Sequence, residues 1–168
     1  MLATRKAWEA PFIGNTHVLL HDTINEMNLT QGKYCYRTNF LTITQSSGTG
    51  KSRAVHELAD LVFTLPFNLR QMGSSYNSWP EQAFPQPDIE VGDFLRGLSP
   101  TNNETILRCY AFFRSLFLKV TKRVTSLHKW LGPTDYSTLA VEWKSYLEQE
   151  NGELRSRLYS RIVAVCDN

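Results

Sequence analysis

Cysteine, net charge and long apolar runs are all scarce in this chain of 168 residues, and each scarcity excludes a class of protein. The three cysteines, Cys35, Cys109 and Cys166, lie far apart and in no metal-ligand spacing. An odd, scattered set does not make a disulfide framework; it suits a reducing compartment in which each thiol is an inert core residue. A formal charge of +2 supplies no general attraction to nucleic acid. No run nears the ~18 apolar residues of a membrane span, and the opening MLATRKAWEAPF lacks the apolar stretch of a secretory signal. There is no G-x-S-x-G or other nucleophile motif, no internal repeat and no low-complexity tract. The expectation is an intracellular protein, cytoplasmic or nuclear, with no membrane partner.

What is present is core material for one domain: seven tyrosines, nine phenylalanines and four tryptophans. The chain reads in three parts: a lead-in with a short helix over 1–33, a core with a Pro-rich loop over 34–100, and a helical region over 101–168. In the first, Thr16–Met27 reads as a helix with Thr16 as N-cap, broken by Gly32. In the second, Tyr34–Thr44 alternates polar with aromatic and β-branched residues and predicts a strand. Val55, Leu58, Ala59 and Val62 then fall on one face of a helix. Phe63, Leu65, Phe67 and Leu69 alternate with Thr64, Pro66, Asn68 and Arg70, a second strand that Pro66 pushes toward an edge. Residues 72–90 form a long loop, and a short helix follows around Ile89–Leu98.

In the third part, apolar residues recur at 106, 110, 113, 117, 120, 124, 127 and 131, a spacing that builds a seam facing another helix. Gly132-Pro133 ends it, a helix from Asp135 to Glu148 follows, and Leu154, Leu158, Ile162 and Val165 mark a last one after Asn151-Gly152.

The segment Gln45–Ser52, QSSGTGKS, has the parts of a phosphate-binding loop. Glycine alone takes cheaply the backbone angles that turn several N–H groups onto one phosphate. A lysine must reach the β- and γ-phosphates, and a Ser or Thr hydroxyl must ligate Mg²⁺. The loop must lead from a strand into a helix N-terminus, whose dipole favours an anion. Ser47, Gly48, Thr49, Gly50, Lys51 and Ser52 are therefore the candidate site for ATP or GTP, with Ser52 as the Mg²⁺ ligand. One departure from the usual pattern is Gln45, which stands where the motif opens with glycine.

QSSGTGKS resembles the Walker A motif of P-loop nucleoside triphosphatases. The longer stretch from Phe40 to Arg70 is similar to the P-loop segment of Crinkler-like and related uncharacterised fungal proteins. The resemblance implies a RecA/AAA-like α/β nucleotide-binding core, with Gly48, Gly50, Lys51 and Ser52 in the phosphate and Mg²⁺ roles. The expected fold class is thus α/β: strand, loop, helix and strand, followed by a mainly helical half. A doubly wound sheet normally needs about five strands; with two found, the sheet is expected to be incomplete and the chain a fragment of a longer protein. Hydrolysis needs a further acid at a strand end. Asp167, after Ile162-Val163-Ala164-Val165-Cys166, has that shape, although the same residues continue the helical pattern from Leu154.

Other constellations carry blander readings. Arg108, Lys119, Lys122 and Arg123 lie roughly opposite the seam and read as a solvated helix face rather than a nucleic-acid surface. Phe112, Leu116 and Trp130 fall between the two faces and widen the core. His17 and His21 stand at i, i+4 but lack a third metal ligand nearby in sequence, and Arg53 can pair with Glu57. The rival to nucleotide binding is a non-catalytic helical interaction module, with a degenerate phosphate loop and a protein partner along helix 106–131.

Overall fold

The computed structural model describes residues 6, 8–30, 40–44, 50–69, 86–98, 103–131 and 136–166, without the side chains of 128–131. Its helices are α1 (Thr16–Thr30), α2 (Lys51–Leu58), α3 (Ile89–Arg96), α4 (Asn103–Leu131), α5 (Tyr136–Glu148) and, after a 3-10 turn over Gln149–Gly152, α6 (Glu153–Cys166). None of them is long and apolar enough to cross a membrane.

The α/β expectation is corrected here: among the described residues there is no strand. Phe40–Thr44 runs without pairing, and 34–39 lie outside the described residues. The segment Phe63–Leu69 shows why alternation misled. The Thr64 carbonyl accepts from Trp143 Nε1 at 2.8 Å, and the Pro66 carbonyl accepts from the Tyr159 hydroxyl at 2.8 Å. The Asn68 N–H donates to Asp88 Oδ2 at 2.7 Å, and its carbonyl accepts from the Asp88 N–H at 2.9 Å. Alternate residues thus satisfy their backbone groups on helix side chains and on Asp88, where a sheet would use a neighbouring strand. Pro66 fits because only its carbonyl is used. The apolar residues in between face the helices: Phe63 stacks on Trp143 and Phe67 on Tyr159, with ring centroids 5.0 and 4.8 Å apart.

The core lies in the second half and is organised around α6, which packs on α3, α4 and α5. Val91 and Phe94 of α3, Phe112, Leu116 and Val120 of α4, Trp143 and Leu147 of α5, and Tyr159, Ile162 and Val163 of α6 form one buried cluster. Burying a side chain such as Phe112 or Leu116 contributes about 2 kcal/mol.

The expected seam is corrected in its first half. Ile106, Tyr110, Phe113 and Phe117 are exposed, and the core side of α4 runs through Phe112, Leu116 and Val120. Ile162–Cys166 is helical, so the strand-like reading of that run fails; Asp167 lies outside the described residues.

At the other end of the chain, α1 packs on α2 yet buries none of its residues. Its first bond runs from the Leu19 N–H to the Asn15 carbonyl, so Asn15, rather than Thr16, holds the cap position. Between α5 and α6 the chain reverses through Glu150, Asn151 and Gly152, with φ of 55°, 58° and 88°.

Candidate functional site

Gly50 precedes α2 at φ 84° and ψ 11°, a left-handed conformation that glycine adopts without strain. An added Cβ there would meet nothing within 4 Å, so backbone angle rather than crowding selects the glycine. The Gly50 carbonyl accepts the first bond of the helix, from the Ala54 N–H at 2.9 Å. The N–H groups of Lys51, Ser52 and Arg53 therefore have no intrahelical acceptor, and with the helix dipole they favour an anion. Ser47, Gly48 and Thr49, the rest of the expected cradle, lie outside the described residues, as does Gln45.

The N-terminal turn of α2 opens on a cavity of about 750 Å³, within the size range of small-molecule sites. Lys51, Ser52, Arg53 and His56 line it from α2, and Leu41–Ile43 line it from the segment before the loop. Thr64, Pro66, Phe67 and Asn68 form another wall, while Lys144, Glu148 and Arg155 reach in from α5 and α6. Sequence reasoning identified Lys51 and Ser52 but missed Lys144, Glu148 and Arg155. These are about a hundred residues away in the chain, and no local pattern ties them to the loop.

Charge around the cavity is balanced by pairs. Arg53 Nε donates to Glu57, as the i, i+4 spacing predicted, and its guanidinium lies 5.5 Å from the Trp8 ring centroid. Burial alone would raise the Glu57 carboxyl; Arg53, with Lys144 and His56, holds it below its ordinary value. His56 Nε2 meets Glu148, joining α2 to α5. Burial pushes Glu148 up as well, and His56, Lys144 and Arg155 together bring it below the ordinary range. Lys144 Nζ pairs with Asp60 at 2.7 Å. Arg155 Nε pairs with Asp88 at 3.0 Å and its Nη2 donates to the Gln86 carbonyl at 2.6 Å. Asp88 is buried deeply enough that desolvation leaves its carboxyl above the usual value despite Arg155 and the Asn68 N–H.

A magnesium ion fits this site in a limited way. Mg²⁺ is commonly held by one or two protein oxygens together with phosphates and waters. Ser52, exposed on the cavity lining, can supply one such oxygen; the lining carboxylate Glu148 is engaged by His56. Among the described residues no group of three or more His, Cys, Asp and Glu side chains could hold a metal by itself. His21 instead lies beside Asn25 and Asp22, and His17 packs edge-on against Phe12.

Two cations of the expected basic face of α4 lie over rings: Arg108 is 4.9 Å from the Phe94 centroid and Arg123 is 4.2 Å from that of Tyr146. That face is partly consumed in packing. Compared with protein-family models, with curated proteins and with solved structures, the chain matches none of them.

Proposed function

We propose that this protein binds ATP or GTP, with the triphosphate at the N-terminus of α2 and the rest of the nucleotide in the adjoining cavity. The GTGKS segment then acts as a Walker A-type phosphate loop set in helical surroundings. Lys51 neutralises the β- and γ-phosphates, the first-turn N–H groups hold phosphate oxygens, and Ser52 ligates the accompanying Mg²⁺. The observation that carries the reading is a conjunction. A left-handed Gly50 starts a helix whose Lys51 and Ser52 line a nucleotide-sized cavity, and Lys144 and Arg155 line it from two other helices. The reading is one of binding, because no acid in the described cavity lining is disposed to activate water.

The test is equilibrium binding of a fluorescent ATP analogue and its GTP counterpart, with and without Mg²⁺, to the native chain and to Lys51→Ala. Saturable, Mg²⁺-dependent binding is expected. The substitution should weaken it at least about tenfold, the scale of one lost charge-assisted hydrogen bond. A folded protein that shows no saturation at millimolar nucleotide, or a mutant that binds like the native chain, would end the proposal.

A further inference from the structure

The stretch Ile106–Leu118 is apolar on nearly every side of its helix. One side, through Phe112 and Leu116, enters the core at 2% and 1% exposure. On another side Ile106, Leu107, Tyr110, Phe113, Phe117 and Leu118 are between 48% and 72% exposed. Phe113 and Phe117 stack on each other at 6.4 Å within this strip. A helix that is hydrophobic all round belongs in an interior, and among the described residues only one of the apolar sides of α4 is covered.

We infer that this strip is a self-association surface and that its occupant is α4 of a second copy, packed antiparallel about a two-fold axis. Area points to a second copy. The six side chains leave roughly 600 Å² uncovered, at the upper limit of what one monomer usually shows, about 300–600 Å². Two such strips, fully covered, bury at most roughly 1,200 Å², which reaches the lower bound for a stable pair.

Chemistry gives the orientation. A two-fold contact must match a surface to itself. Arg114 is exposed in the strip and makes no ion pair or ring contact among the described residues, whereas Arg108 and Arg123 on other sides of α4 lie over rings. An antiparallel crossing centred between Tyr110 and Arg114 sets Arg114 of each copy against Tyr110 of the other, and Leu107 against Phe117. The cation then gains the same kind of ring contact that this chain makes elsewhere. The parallel alternative would bring the two arginines together.

Sedimentation of the full chain from micromolar to sub-millimolar concentration tests this. A reversible monomer–dimer equilibrium is expected. Phe117→Glu and Leu107→Glu, both at exposed positions, should each weaken it at least about 100-fold with the helical circular dichroism unchanged. Lys122→Glu, on a different side of the helix, should leave it alone. A native chain that stays monomeric throughout would overturn the inference, and would leave the strip to a different protein. So would a dimer that both strip variants preserve, or association without a defined stoichiometry.

Discussion

The two halves of this molecule are built on different principles. From α3 onward, one cluster of buried apolar side chains joins four helices, and Tyr159 and Ile162 at its centre have no exposure at all. Before α3, α1 buries nothing, and α2 buries Ala54 and Leu58 and is tied to its surroundings by His56–Glu148, by Arg53 to the Ala10 carbonyl and by the ring of Trp8. One half is held by area removed from water, the other mainly by polar pairs and ring edges. The cavity lies where they meet. That placement is instructive: the cavity sits beside exchangeable pairs, away from the dry cluster whose rearrangement is costly.

The comparison can be broken most forcefully at Trp143. Trp143→Ala removes a buried ring, its stacking on Phe63 and the donor to the Thr64 carbonyl, and should lower stability by about 3–5 kcal/mol in urea unfolding. Leu29→Ala, on the exposed surface of α1, should change it by no more than about 0.5 kcal/mol. Similar losses at both sites would mean that the halves are not distinct.

A smaller effect is expected at Tyr159→Phe, which keeps the ring and deletes only the hydrogen bond to the Pro66 carbonyl. About 1 kcal/mol should be lost. Amide hydrogen exchange should rise at Asn68, whose N–H donates to Asp88, before it rises in α6, since the extended segment is released while the helix stays packed.

The smallest effect concerns pH and sharpens the account of the polar half. Glu57 and Glu148 titrate below their ordinary carboxyl values in the folded chain. Their contribution is therefore complete above about pH 4.5 and is lost as pH falls through the lowered folded values, because the unfolded chain then binds more protons. Asp88, raised on folding, works in the opposite sense: ionised, it weakens the fold, and that penalty eases as pH falls. Stability should still decline on acidification, and Glu148→Gln should flatten the decline. An unchanged slope in the variant would remove the His56–Glu148 pair from the account.

Much of the second half was legible in the sequence, and for a simple reason. The spacing of Leu139, Trp143 and Leu147, or of Leu154, Leu158 and Ile162, reports a helix because 3.6-residue periodicity is local. The burial direction of α4 was not legible. With Tyr110, Phe112, Phe113, Leu116 and Phe117 on several sides, periodicity marks more than one apolar face, and only the position of α6 chooses Phe112 and Leu116. The alternation of Phe63–Leu69 marks Leu65 and Phe67, which pack on the core, but Phe63 and Leu69 stay exposed. It cannot say what satisfies the backbone, and here Trp143, Tyr159 and Asp88 do so in place of a strand. For the candidate site, Gly50, Lys51 and Ser52 could be read from a motif because a glycine turn leading into a helix is a short-range arrangement.

By itself, then, the sequence determined where helices start and stop in the second half, and that a glycine must precede Lys51 at the head of α2. Those are outcomes of local backbone angles, capping and side-chain period. Tertiary structure decided that no strand pairs form among the described residues, which side of α4 enters the core, and that Lys144, Glu148 and Arg155 line the cavity at the head of α2. Each of these depends on which distant groups arrive to satisfy a carbonyl, cover a ring or pair a charge, and local sequence does not encode such partners.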